Sequence, residues 1–233
     1  TDYSDATIPF LDLETDTYAP QVFAAIGLPD LSDKLSKPRR ASEVGGQLTA
    51  SVGLPSVPVA VGALDLAAMM TGVGLNAPGD MCLILGTTAV LSYIKSPTPF
   101  VSPPVAATVH HPITGDWIRV LAPQSGASAF DWFAALHPNS FGGADAGEIA
   151  AKINEIAQHV PPGANGVMFL PFLTGERAPF VAPEAAASFL GMHASTTKAD
   201  LARAVMEGTG LSLRHCLHVE EIPSPERVVL TGG

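Results

Sequence analysis

Apolar residues recur along this chain in short runs, each broken by glycine, proline or threonine after a few positions. The run from Pro58 to Leu64 is rich in valine and alanine, and its length and β-branching predict a buried strand. It ends in Asp65. Leu66, Met69, Met70 and Val73 then follow at near-helical spacing, which predicts a helix over 66–75. Asn76-Ala77-Pro78-Gly79-Asp80 reads as a turn and as the hinge between two domains. Two strands are expected over 81–85 and 89–94, flanking Gly86-Thr87-Thr88, and a hairpin over 108–120 around Thr114-Gly115. Helices are expected over 128–136 and 146–159, the second stopped by Pro161-Pro162-Gly163, with short strands over 166–170, 189–193 and 227–230. The clearest element is a helix over 196–219: Thr197 stands as its N-cap with Asp200 three residues on, and Leu201, Val205, Gly208/Thr209 and Leu213 share a face. Residues 1–56 are irregular and polar, apart from a short helix over 20–26 closed by Gly27 and Pro29. Strands that alternate with helices after residue 80 predict an α/β fold.

Composition narrows the class. With 47% hydrophobic and 15% charged residues, 233 positions can build a substantial core. No apolar run approaches the roughly 20 residues of a membrane-spanning helix, and Thr1-Asp2-Tyr3-Ser4 has none of the charge and apolar pattern of a signal peptide. The net charge is -10, and basic residues cluster no further than Lys37-Pro38-Arg39-Arg40, which argues against nucleic acid as the main partner. A nucleotide stays open, because backbone N–H groups bind phosphate without surface charge. Cys82 and Cys216 sit in apolar patterns, as reduced and buried thiols of a cytoplasmic protein do. No Cys/His spacing fits a zinc site. The chain begins without Met and stops at Thr231-Gly232-Gly233, straight after an apolar run. A strand followed by Gly-Gly normally leads into a helix, so the chain is expected to be a piece of a longer protein.

Four stretches could carry chemistry. Asp65, at a strand end, could take the proton of a hydroxyl that attacks a phosphate; equally it could cap the helix that follows, which is the commoner role for such an Asp. In Gly86-Thr87-Thr88 the glycine lets backbone approach a phosphate and the threonines offer hydroxyl donors, although Gly-Thr is also ordinary in a β-turn. Gln124-Ser125-Gly126-Ala127-Ser128 and Thr231-Gly232-Gly233 are further glycine turns at element ends. Glu176-Arg177 is a charged pair in an apolar neighbourhood and is expected to be a partly buried ion pair that pins its loop. His110-His111, His215 and His218 lack carboxylate-rich company and are expected to be solvated or satisfied rather than metal ligands.

In order, Thr1-Asp2-Tyr3-Ser4-Asp5-Ala6, Gly62-Ala63-Leu64-Asp65, Leu85-Gly86-Thr87-Thr88, Phe169 to Pro179, Leu201 to Gly208 and Leu230-Thr231-Gly232-Gly233 resemble the FGGY family of carbohydrate kinases over nearly the whole chain. The resemblance implies the actin-like, ribonuclease-H-like ATPase fold. Residues 1–77 would be the C-terminal part of the sugar-binding domain and 78–233 a truncated ATPase domain. It implies ATP-dependent phosphorylation of a sugar or polyol, a pentulose such as xylulose being favoured through Thr1–Ser4 and Thr174–Arg177, with Mg²⁺ accompanying ATP. Asp65 matches the catalytic base; Gly86, Thr87 and Thr88 match a phosphate loop; Gly126 matches a glycine beside the nucleotide; Gly232 and Gly233 match the adenosine motif. A homodimer is compatible with it. A non-catalytic sugar- or nucleotide-binding module of the same fold, or an inactive kinase fragment, is the alternative.

The chain also departs from the family pattern. Gly62-Ala63-Leu64-Asp65 stands where the family often has Gly-Gly-Gly-Asp, and Gly86-Thr87-Thr88-Ala89 where it often has Gly-Thr-Ser-Gly. Ala89 would be strained if that position needed a positive φ. The family's first phosphate loop, an Asp-x-Gly-Thr, is not in these residues, and on this reading the isolated 233 residues are expected to bind ATP poorly and turn over negligibly.

Overall fold

The structure is a computed structural model that describes residues 1–8, 10–49, 51, 53–98, 106–141, 145–222 and 224–232. In chain order the first elements are α1 (Tyr3–Ala6), β1 (Leu11–Asp12), β2 (Thr17–Tyr18), α2 (Pro20–Ala25), β3 (Val44–Gln47), β4 (Pro58–Ala60) and α3 (Asp65–Gly72). Among the described residues four strands follow without an intervening helix: β5 (Asp80–Leu85), β6 (Ala89–Lys95), β7 (Ala107–His110) and β8 (Trp117–Leu121). Then come α4 (Ser128–Ala135), α5 (Pro138–Phe141), α6 (Ala146–Ala157), β9 (Met168–Leu170), β10 (Ser188–Leu190), α7 (Lys198–Val219) and β11 (Arg227–Thr231). The two strands expected over 81–94 and the hairpin expected over 108–120 are all present, and helices enter the α/β pattern only after them. The Thr114-Gly115 turn joins β7 to β8 as an antiparallel hairpin with His110 opposite Trp117, leaving no length for a crossover helix.

The chain folds as two compact units. One comprises Thr1–Met81, Ser92–Val101 and Ala107–Val120; the other comprises Cys82–Leu91, Ser102–Ala106 and Leu121–Gly233. In the second unit β11 lies beside β5, and β5 beside β6; in the first, β7 lies beside β8. The core of the second unit gathers Phe133 on α4, Ile153 on α6, Phe169 on β9 and Val205 on α7, all essentially inaccessible to solvent. Trp132 stacks on Phe169 at 5.5 Å, and Phe169 meets Phe189 of β10 at 4.7 Å. Cys216 is buried on α7, where burial first and the charges of Glu176 and Glu220 next push its thiol up to about 12. It is a packing group rather than a nucleophile.

The run over 58–64 is not a buried strand. Only Pro58–Ala60 is extended; it pairs with β3 in a two-stranded ribbon, and all three residues are exposed. The strand propensity was real, but a two-stranded ribbon offers no covered face. Gly62, at φ 87°, turns the chain out of it. Among the described residues, no helix is long and apolar enough to cross a membrane.

The long helix begins as its sequence predicts. The Thr197 side chain accepts the Asp200 N–H, and Asp200 Oδ2 accepts the Thr197 N–H at 2.7 Å, a complete capping box. Asn165 Nδ2 adds a donor to Asp200 at 2.8 Å. The Thr197 backbone and hydroxyl, then Asn165, hold the Asp200 carboxyl below the usual carboxylate range. Replacing Thr197 with Ala should cost about 1 kcal/mol, read from urea denaturation near neutral pH. Because Asp200 has a depressed folded-state pKa, its contribution is fully present above its ordinary value of 3.8 and is lost as pH falls below it. The variant's deficit should therefore shrink in acid titrations.

Candidate functional site

Five of the seven residues marked by sequence converge in the second unit at the carboxyl end of β5. Gly86-Thr87-Thr88 forms the turn between β5 and β6, closed by the Gly86 N–H on the Thr88 carbonyl at 3.1 Å. The turn before α4 folds onto it: Gly126 N–H and Ser128 N–H donate to the Thr87 carbonyl at 3.1 and 3.2 Å, and Ala127 N–H donates to the Gly86 carbonyl at 2.8 Å. The carbonyls of all three loop residues are thus engaged. Among the described residues, the groups left for a ligand are the amides and hydroxyls of Thr87 and Thr88, with Thr87 exposed.

Gly126 is dictated by this contact. A Cβ there would lie 2.6 Å from the Gly86 carbonyl oxygen and from Thr88 C, and 2.7 Å from Ala89 N, all of them backbone atoms that cannot step aside. Gly232, at φ 113°, closes on the same strand end, where a Cβ would meet the Leu85 carbonyl oxygen and lie 2.7 Å from Leu85 C. Gly86 itself is permissive, since a Cβ would find its nearest atom, the Thr88 oxygen, at 3.7 Å. Ala89 is a buried residue of β6 outside the positive-φ region, so alanine carries no strain there. Gly233 lies outside the described residues.

Behind this cluster stands the 174–182 loop. Glu176 and Arg177 do not form the expected ion pair. Glu176 is buried, and its Oε1 accepts three backbone N–H groups, from Gln124 at 2.8 Å, Arg177 at 2.8 Å and Ala178 at 3.2 Å. Arg177 Nε turns instead to the Ala122 carbonyl at 2.8 Å. Backbone amides aligned on one oxygen out-compete a guanidinium that can reach a carbonyl nearby. Ser125 Oγ–H donates to the Pro171 carbonyl, so the 122–126 segment is tied on both sides. The sequence marked this loop as a charged pair in apolar company and as part of the family resemblance, but gave Glu176 no partner on the 122–126 segment.

The remaining marked residue, Asp65, belongs to the first unit. It is exposed at the first position of α3; Leu64 is the cap residue, and Asp65 Oδ1 accepts the Leu66 N–H at 2.6 Å. Asp65 thus stands inside the first turn, where the helix dipole favours an anion, rather than at the cap. Its approach is fixed from a distance. Asp2 Oδ2 accepts the Ser4 N–H at 2.8 Å and the Ser4 hydroxyl at 2.6 Å, and Ser4 Oγ accepts the Leu64 N–H at 3.0 Å. Both Asp2 and Ser4 are buried. Of residues 62–64 only Gly62 has a positive φ, so Ala63 and Leu64 fit where glycines would be tolerated. His110 and His111 are buried rather than solvated. His111 Nδ1 accepts the Ile113 and Thr114 N–H groups, a network that assigns the proton to Nε2, facing the Leu75 carbonyl. Among the described residues no group of three or more His, Cys, Asp and Glu side chains is placed to hold a metal ion.

A family profile describing the FGGY family of carbohydrate kinases, C-terminal domain, matches residues 81–233. The chain belongs to the FGGY family of carbohydrate kinases. A xylulose kinase from Klebsiella pneumoniae is 34% identical over all of this chain and 47% of its own length, and one from Escherichia coli is 35% identical over 88% of the chain and 42% of its own. The crystal structure of a xylulose kinase from Rhodospirillum rubrum superposes with a TM-score of 0.86 at 28% identity, covering all of this chain and 47% of that one. The chain thus spans about half the length of the curated relatives it matches. It carries the family's actin-like, ribonuclease-H-like fold, and the glycine cluster lies within the matched FGGY domain.

The two glycines predict opposite outcomes. Gly126→Ala should lose about 1–3 kcal/mol, because backbone must move to admit the methyl group. Gly86→Ala should change stability by less than about 1 kcal/mol. Urea denaturation of the two variants side by side checks this, and equal losses would contradict it.

Proposed function

We propose that this chain is part of a cytoplasmic, ATP-dependent carbohydrate kinase that transfers the γ-phosphoryl group to a sugar or polyol hydroxyl, with a pentulose such as xylulose the favoured acceptor. In this reading residues 1–77 are the end of the sugar-binding domain and 78–233 belong to the ATPase domain. Asp65 is the general base, accepting the proton of the attacking hydroxyl. Gly86, Thr87 and Thr88 face the phosphates, and Gly126, Gly232 and Gly233 border the nucleotide.

The observation that carries the reading is the convergence of Gly86–Thr88, Gly126 and Gly232 at one strand end, in a chain of the FGGY family. Carboxyl ends of strands are where open α/β sheets take ligands. A turn with engaged carbonyls and remaining amide and hydroxyl donors suits phosphate oxygens. Phosphoryl transfer asks a protein mainly for positioning and charge stabilisation, which such a turn supplies. The described residues offer no carboxylate cluster for Mg²⁺. The ion would come chiefly on the nucleotide's phosphates, where its chemistry is to neutralise their charge.

Asp65→Asn in the complete gene product should lower kcat about 10²–10⁴-fold, the usual worth of a positioned base. ATP affinity and the melting curve should stay as in the unaltered protein. Undiminished sugar-dependent ADP release from that variant would remove Asp65 from the mechanism.

A further inference from the structure

We infer that Glu176 is a positioning residue for the nucleotide-facing loop, acting through the 122–128 turn; the inference rests on the reading of Gly86–Thr88 as a phosphate loop. The connection is continuous and lies wholly within the second unit. Glu176 Oε1 holds the Gln124 N–H at 2.8 Å. Two residues on, Gly126 N–H holds the Thr87 carbonyl at 3.1 Å, and Ala127 N–H holds the Gly86 carbonyl at 2.8 Å. Arg177 and Ser125 fasten the same turn through the Ala122 and Pro171 carbonyls. Glu176 is itself locked, because its own N–H and carbonyl exchange hydrogen bonds with Ala182 at 2.9 and 2.8 Å.

The chemistry of the side chain argues for more than packing. A carboxylate 97% removed from solvent is costly to bury, and among the described residues Glu176 has no cation to offset the cost. Its Oε2 has no hydrogen-bond partner among the described residues. Among the described residues its side chain is held by three amides on one oxygen, two within its own loop and one on the 122–126 segment. Such a charge-assisted bond fixes the Gln124 amide more firmly than a neutral acceptor would. Gly126 has no room for error against Gly86 and Thr88, so a shift of the turn is passed directly to the loop.

The test uses Glu176→Ala, Glu176→Gln and Thr87→Ala in the complete gene product, with melting curves, steady-state kinetics and amide hydrogen exchange. Glu176→Ala should speed exchange at Gly126–Ser128 and raise the ATP KM about tenfold, the worth of one charged hydrogen bond, while leaving the sugar KM unchanged. Glu176→Gln keeps an acceptor oxygen and should fall in between; it carries the test alone if the alanine variant does not fold. Unchanged exchange and ATP KM in a folded variant overturn the inference. So does faster exchange with an unchanged ATP KM while Thr87→Ala raises that KM, a result that spares the phosphate-loop reading. An ATP KM unmoved by Thr87→Ala defeats that reading, and the inference with it.

Discussion

The second unit depends on one close approach of backbone to backbone. The turn before α4 lies against the β5–β6 turn so tightly that Gly126 leaves no volume for a single methyl group. Three inter-turn hydrogen bonds run across this contact onto the Gly86 and Thr87 carbonyls, and the Thr88 carbonyl is taken within the loop by the Gly86 N–H. Because the acceptors are spent inward, the donors are what face a ligand. That asymmetry is the physical basis for an anion site, and it does not depend on any charged side chain. It also suits a protein with a net charge of -10, where attraction by bulk charge is not on offer.

Each unit uses a buried carboxylate to hold a turn far away in sequence. In the first, Asp2 orients Ser4, and Ser4 takes the amide of Leu64, sixty residues on. In the second, Glu176 takes the amide of Gln124, fifty-two residues back. Among the described residues, neither carboxylate is spent on an ion pair with arginine or lysine. A buried acceptor with several backbone donors fixes geometry with little side-chain freedom, which is what an exposed loop on either unit lacks on its own. The cost is a polar group that cannot be removed without leaving an amide unpaired.

The elements that were legible in the sequence are those whose determinants are local. Thr197 and Asp200 sit three residues apart and need only each other and the backbone to begin α7, so their spacing foretold the helix start. The Thr114-Gly115 hairpin was legible for the same reason. The run over 58–64 misled because strand propensity says that a segment can be extended, not that anything covers it; β4 pairs only with β3 and is exposed. Glu176-Arg177 misled because opposite charges adjacent in sequence need not face each other, and each found a stronger partner more than fifty residues away.

For the site, the sequence by itself determined the residue types and their order: an Asp at a helix start, hydroxyls beside Gly86, and glycines at 126 and 232, in a pattern that marks the FGGY family. It could not say why Gly126 is a glycine, since the atoms that exclude a side chain there belong to residues 86–89. Nor could it give Ser4 or Glu176 the distant amide that each one holds. Only the tertiary structure decided those roles, because a close approach and a long-range hydrogen bond are properties of pairs of segments. A pair becomes visible when folding has brought both members to the same place.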